Sequence, residues 1–343
     1  MESKYNNIIT GKTRFPEITA LFAFVRARER RVMDREEVLK ALDAGSKNFS
    51  DFVVHISKFD IGSYIASEIK IEPSTPPRIF ESVALKFFEQ EAKMIRDYTP
   101  KPCSDIIELF LEKYDAYNII SVINSLRTHS KPLHLIPIGK IAELNILDKL
   151  ETAKTEEEVL GIAKQCGLYW ILKSLEKSPS EFSIICSYFS ELKKLCKDLK
   201  PSMNTMKAIE HLVNTYMLER SVLFLIENKA PPTEFLLCTP HEISEAFRDL
   251  TRAIDKLKYH YFDIMKKIEP YIKKTKEDFI YLRFLIEDYA YTKALELLST
   301  DVLSFDSVLR YVALREYEAR LVSLAYTALY LGKARKVLEV LSS

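Results

Sequence analysis

Three observations predict an all-α protein: the scarcity of glycine, the residues that dominate, and repeated helix-start signals. Only 7 of 343 residues are glycine and 14 are proline. A doubly wound α/β enzyme of this length needs glycines for its βα turns and phosphate loops, so that class is disfavoured. Leu, Lys, Glu, Ala and Ile dominate, and these residues form or tolerate helix. Asp34 with Glu37, and Thr155 with Glu158, have the spacing of capping boxes at helix starts.

The chain opens on a polar stretch of about 14 residues that reads as loose. Ile18, Leu21, Phe22, Val25 and Val32 then mark one face of a long helix. The Asp34–Glu37 box starts a second helix through Val38, Leu39 and Leu42, and a third is predicted unbroken over Ser50 to Ile65. Glu72-Pro73-Ser74-Thr75-Pro76-Pro77 interrupts the pattern and reads as a loop. Helix resumes from Arg78 to Tyr98 and again after Pro102, through the Asp115 region to a turn over Ser130 to Gly139. The Thr155 box precedes Val159, Leu160 and Ile162. Thr239-Pro240-His241-Glu242 reads as a further box, with proline at the first helical position, where its missing N–H costs nothing. Leu314, Tyr317, Leu321, Leu324, Ala328 and Leu331 alternate steps of three and four, a coiled-coil type of seam expected to pack inside the protein. Glu316 and Arg320 are expected to pair on its wet face. The regions Glu37 to Ile65 and Glu143 to Leu172 share a layout at an offset of about 109 residues, which suggests internal repetition.

Charge and motifs exclude several function classes. Lys and Arg number 50 against 49 Asp and Glu, a net charge of +1. A nucleic-acid binder draws affinity from neutralising phosphates and usually carries a basic excess. The five cysteines, at 103, 166, 186, 196 and 238, contain no C-x-x-C pair and read as reduced structural thiols. No signal peptide is recognisable, and the longest apolar run, Leu321 to Leu331, is roughly half the ~20 residues of a membrane span, so the chain reads as soluble. Neither a G-x-x-x-x-G-K-[ST] loop, a G-x-G-x-x-G loop nor a G-x-S-x-G elbow occurs. His129 and His134 bracket a turn without a Cys or third His nearby, so they read as loop histidines rather than metal ligands. Lys273-Lys274-Thr275-Lys276 reads as a solvated face. Arg26, Arg28, Arg30 and Arg31 lie within six residues, dense enough to meet an acidic partner surface through planar guanidinium forks.

Three segments carry a family resemblance. Lys113 to Arg127 holds an Asp-x-x-Asn step at Asp115 and Asn118 and an arginine at Arg127, followed by Pro137-Ile138-Gly139. Ala20 to Arg28 with Asp34 to Leu39 forms an opening helix pair, and Tyr311 to Arg320 a late charged helix. In this order they resemble the C subunit of the archaeal and vacuolar-type (A-type and V-type) rotary ATPases, known as the d subunit in eukaryotes.

That resemblance implies three similar helical lobes forming a funnel around a pseudo-threefold axis, with approximate bounds 15–112, 113–215 and 216–343. It implies a non-catalytic central-stalk subunit without a cofactor, coupling the rotor shaft to the membrane proteolipid ring for ATP synthesis or for proton or sodium transport. The implied partners are proteolipid ring subunits and shaft subunits of the coiled-coil D and F types, with no nucleic acid. The implied location is peripheral, on the cytoplasmic membrane face through the complex. Beside it, Glu316, Glu318 and Arg320, with the arginine cluster, are candidates for a partner interface, and Glu316, Glu318 and Arg320 equally read as residues that hold helices together. Asp115, Asn118 and Arg127 are expected to hold helices together, through an Asn amide on a neighbouring turn and an Asp–Arg pair. The alternative is a helical-repeat adaptor unrelated to the ATPase, although no 34-residue tetratricopeptide period is visible.

Overall fold

The computed structural model describes residues 15–101, 103–132, 135–177, 180–199, 202–272, 279–298 and 304–342. Every regular element among them is helical, and none is a strand. In chain order the first helices are α1 (Phe15–Glu29), α2 (Arg35–Lys47), α3 (Phe49–Ile56), α4 (Asp60–Glu68), α5 (Pro77–Tyr98) and α6 (Cys103–Thr128). Next come α7 (Lys140–Glu143), α8 (Leu147–Glu151), α9 (Glu156–Gln165), α10 (Tyr169–Lys177), α11 (Glu181–Leu199) and α12 (Met203–Ile226). The last are α13 (Thr233–Cys238), α14 (His241–Ala246), α15 (Ala253–His260), α16 (Phe262–Ile272), α17 (Phe279–Leu297), α18 (Phe305–Tyr330) and α19 (Ala334–Ser342).

The chain divides into two compact units, Met1–Ala27 with Leu85–Pro201, and Arg28–Ala84 with Ser202–Ser343. The first is organised on α6, which packs against α7, α8, α9 and α11. The second is organised on α17 and α18, which pack on each other, with α12, α16, α19 and α2 around them. Both α6 and α18 run for 26 residues with buried side chains on every face. A helix buried all round is the mark of a core, because it has no wet side to give it an apolar stripe. The single seam read from Leu314 onward is therefore too narrow a description: Val312, Ala313, Ala319, Val322 and Ala325 are also buried, while Leu331 is exposed.

Local chemistry explains the helix boundaries. The Asp34 carboxylate accepts from the Glu37 N–H at 2.9 Å, and the Thr155 hydroxyl accepts from the Glu158 N–H at 3.2 Å. The Thr239 box is not formed, because Thr239 turns its hydroxyl back to the Leu236 carbonyl at 3.1 Å. The unbroken third helix is two helices, split where Phe59 adopts extended φ and ψ of −111° and 157°. Gly62 permits the resulting corner, since a Cβ there would lie 2.0 Å from the Ile56 carbonyl oxygen. The proline-rich loop is pinned by Tyr326 of α18, whose hydroxyl lies 2.8 and 2.7 Å from the Glu72 and Thr75 carbonyls. The same ring stacks on Phe80 at 4.1 Å between centroids. Cys103, Cys166 and Cys196 are free thiols. His134 and Lys273 to Lys276 lie outside the described residues.

Gly139 supplies a test of the first unit. Its φ of +95° with ψ of −173° belongs to a region only glycine occupies readily, and a Cβ there would sit 2.5 Å from the Asp115 carboxyl. Gly139→Ala is expected to destabilise by about 2–4 kcal/mol, from backbone strain and a displaced cap. Gly161→Ala, inside α9 with nothing within 4 Å of the added methyl, is expected to stabilise by about 0.5–1 kcal/mol. Urea unfolding of the two variants beside the parent measures both signs.

Candidate functional site

In the first unit, the helix-holding residues sit where α6 meets the turn before α7. Asp115 is fully buried, and its carboxylate accepts from the backbone N–H groups of Lys140 at 2.8 Å and Ile141 at 3.0 Å. It thus caps α7 from a distance, a task the Gly139 hydrogen cannot perform. Asn118 donates to the Ile136 carbonyl at 2.8 Å and accepts from the Ile136 N–H at 2.7 Å, zipping the incoming segment of backbone to α6. Glu89 accepts from the Gly139 N–H at 3.1 Å. Arg127 does not pair with Asp115; it forks onto Glu156 in the first turn of α9, at 2.7 and 3.2 Å. Burial pushes the Asp115 carboxyl up to about 8, against the two backbone N–H bonds, which pull it down.

In the second unit, α18 carries charge through the middle of the fold. Arg315 is 0% exposed. Its guanidinium reaches Glu318 at 2.7 Å, the Tyr311 hydroxyl at 2.8 Å, the Arg28 carbonyl at 3.4 Å and Asp60 at 3.6 Å. The second oxygen of Glu318 accepts from the Met33 N–H at 2.7 Å, so one carboxylate ties α18 to the turn between α1 and α2. Burial raises the Glu318 carboxyl to about 7, while Arg315 and the Met33 N–H oppose the rise.

A second charged row runs beside it. Glu316 bonds Arg320 at 3.0 Å, and Arg320 reaches Glu287 of α17 at 2.9 Å. Glu287 lies 3.9 Å from Arg283, which in turn lies 3.5 Å from Glu81 of α5. Asp288 accepts from Arg35 at 2.7 Å and from the Tyr317 hydroxyl at 2.6 Å.

These positions sort the residues expected at a partner interface. Glu316 and Glu318 are 0% and 1% exposed, and their carboxylates are bonded to Arg320 and to Arg315 with the Met33 N–H, respectively. The Glu316–Arg320 pair forms as expected but faces α17 rather than water. Arg28 and Arg31 both turn toward Asp60, at 3.9 and 2.9 Å. Arg26 is half-buried and also engaged, which leaves Arg30 as the exposed arginine of the cluster not drawn to Asp60. Sequence reasoning missed Asp60, Tyr311, Arg315 and Glu287. Arg315 stands within the Tyr311 to Arg320 helix, but a charge in a mixed helix reads by default as a wet face.

Among the described residues no group of His, Cys, Asp and Glu has the arrangement of a metal site, and no helix is long and apolar enough to cross a membrane. The charges that do converge neutralise one another, and such an arrangement fixes helix register rather than polarising a substrate.

The family whose description is ATP synthase (C/AC39) subunit matches residues 21–335. The chain is 31% identical over 141 residues to the C subunit of the A-type ATP synthase of Pyrococcus furiosus, an alignment covering 41% of this chain and 36% of that protein. Against the protein of the same name from Pyrococcus abyssi it is 28% identical over 141 residues, again 41% of this chain and 36% of the relative. The aligned stretch therefore spans about a third of the length of these curated relatives.

Two outcomes test the geometry. Arg315→Met is expected to cost about 3–5 kcal/mol, because Glu318 loses its buried partner and must either stay charged out of water or take up a proton. Arg315→Met combined with Glu318→Gln, which keeps an acceptor for Met33, is expected to be more stable than Arg315→Met alone; chemical denaturation of the full cycle measures the coupling. Asp115 has a native pKa above that of the unfolded chain, so between about pH 4 and 8 the folded protein holds a proton the unfolded chain has released. Its contribution to unfolding free energy falls as pH rises through that window, by at most about 1.4 kcal/mol per unit. Asp115→Asn should flatten the pH dependence of urea midpoints between pH 5 and 8.

Proposed function

The chain belongs to the ATP synthase (C/AC39) subunit family, and on that premise we propose that it is a non-catalytic central-stalk subunit of an archaeal/vacuolar-type rotary ATPase. In this reading it seats on the proteolipid ring of the membrane rotor and receives the tip of a shaft built from D-type and F-type subunits. Torque passes through it between proton or sodium flow and ATP synthesis or hydrolysis in the catalytic head. It sits at the cytoplasmic face of the membrane and touches the bilayer only through the complex. The observation that carries the reading is the family match over residues 21–335, which reaches into both compact units.

The physical character of the chain supports it. A part that transmits torque must not absorb strain, and close-packed helical interiors have low compressibility. In the second unit α18 is fixed along its length by the Arg315–Glu318 and Glu316–Arg320–Glu287 bonds, so its rotation about its own axis is opposed from two sides. The threefold arrangement of lobes over 15–112, 113–215 and 216–343 belongs to this proposal and is tested by superposing the three segments in an experimental structure of the assembled rotor.

Purification of the tagged chain from its host membranes is the direct test. Recovery with the shaft subunits and the proteolipid is expected, as is uncoupling of ATP hydrolysis from ion transport when the gene is deleted. Recovery with neither set of subunits refutes the proposal. Arg30→Glu probes the arginine cluster: association with the complex should weaken more at low than at high ionic strength, with folding unchanged because the side chain is exposed. Equal association at every salt concentration removes Arg30 from the interface while leaving the assignment to the stalk standing.

A further inference from the structure

A groove in the second unit lies apart from the charged rows of α18. It has a volume of about 580 Å³ and runs along α16, floored by Leu285 of α17 and Val340 of α19. Phe262, Lys266 and Pro270 line it at steps of four, which places them on one face of α16 over eight residues. At 1.5 Å per residue that face is about 12 Å long, some two turns of helix.

Three features give the groove a chemical preference. Its lining is partly apolar and aromatic: Phe262, 55% exposed, and Tyr271 border it above Leu285 and Val340. Its wall is basic, with Lys266 and Lys267 both exposed against a single acid, Asp263. The Lys266 ammonium lies 5.9 Å from the Phe262 ring centre, so charge and apolar surface meet at one point. Finally, Pro270 sits inside α16 and has no N–H, so the Lys266 carbonyl four residues back loses its helical donor on this same wall.

We propose that this groove docks an acidic amphipathic helix of a partner protein. Two turns of such a helix fit the face; apolar side chains at spacings of three and four enter between Phe262 and the Leu285–Val340 floor, as helices do in apolar grooves. Carboxylates on the flank of the guest meet Lys266 and Lys267. A donor side chain of the guest satisfies the Lys266 carbonyl.

The test uses the full chain and a labelled 18-residue peptide of Leu, Ala, Gln and Glu with leucines at helical spacing. A second peptide with lysine in place of each glutamate is the control. Fluorescence anisotropy should show the acidic peptide binding at least tenfold more tightly than the basic one, and several-fold more weakly at 500 than at 50 mM salt. Lys266→Glu/Lys267→Glu should cut the affinity at least tenfold and invert the peptide preference; Phe262→Ser should weaken both peptides. All three side chains are exposed, so circular dichroism melts should match the parent, and Lys267→Glu alone serves if the double variant unfolds. No binding of the acidic peptide, equal binding of both peptides, or indifference to the lysine reversals overturns the proposal. So does self-association that Phe262→Ser abolishes, which assigns the groove to a second copy of the chain. Flotation with phosphatidylserine vesicles that is lost in the lysine variant assigns it instead to a lipid surface and overturns it equally.

Discussion

The second unit depends on one interaction, the ion pair of Arg315 and Glu318 inside α18. Both side chains are out of water, and the carboxylate spends its other oxygen on the Met33 N–H while the guanidinium reaches Tyr311, the Arg28 carbonyl and Asp60. Taking two charges out of water costs several kcal/mol each, and mutual attraction offsets that only when the remaining donors and acceptors are also met. Nearly every nearby polar atom is engaged in that way; the Asp60 oxygen nearest Arg315 has ion-pair neighbours at 3.6 and 3.9 Å but no hydrogen bond of its own. The turn between α1 and α2, the start of α4 and the middle of α18 are thereby positioned by the same small set of groups.

The first unit solves a similar problem with less charge. Short helix α7 begins on a glycine that has no side chain to cap it, and α6 supplies the missing acceptor through Asp115. A glycine at 139 is then required twice, once for its backbone angles and once because the carboxylate occupies the space of a Cβ. Asn118 extends the attachment by three residues along the same helix, one turn of α6, and so reaches the next backbone group of the incoming segment.

How much of this was legible in the sequence depends on how local each feature is. Helix class followed from composition, and the Asp34 and Thr155 caps from spacing alone, because a capping bond spans three residues. The split between α3 and α4 was not legible, since Gly62 signals a corner only once Ile56 is known to lie against it. The Thr239 box failed because three residues of matching type do not compel the hydroxyl to face forward. For Asn118 the contact type was readable, a buried amide on a neighbouring turn, whereas the Arg127 partner was not, because Glu156 is 29 residues away. The largest misreading placed the Glu316–Arg320 pair on a wet face. Helical periodicity identifies an apolar stripe against a wet face, and a helix enclosed on all sides has no wet face to find.

That misreading also says what the charges of α18 are for. An enclosed helix with only Leu, Val and Ala on its surface would pack nearly as well after a rotation of one residue, because apolar contacts are non-directional. Hydrogen-bonded ion pairs are directional, and a rotation that separates Arg315 from Glu318's partners, or Arg320 from Glu287, strands buried charge. Replacing such pairs by well-packed apolar groups is often neutral for stability, so net stability is a poor account of them. Register is the better one: Arg315 and Glu318 fix α18 against the backbone at Arg28 and Met33 and against Asp60 of α4, and Glu316 and Arg320 fix it against α17. With α18 held on two sides by directional bonds, its rotation within the second unit is opposed.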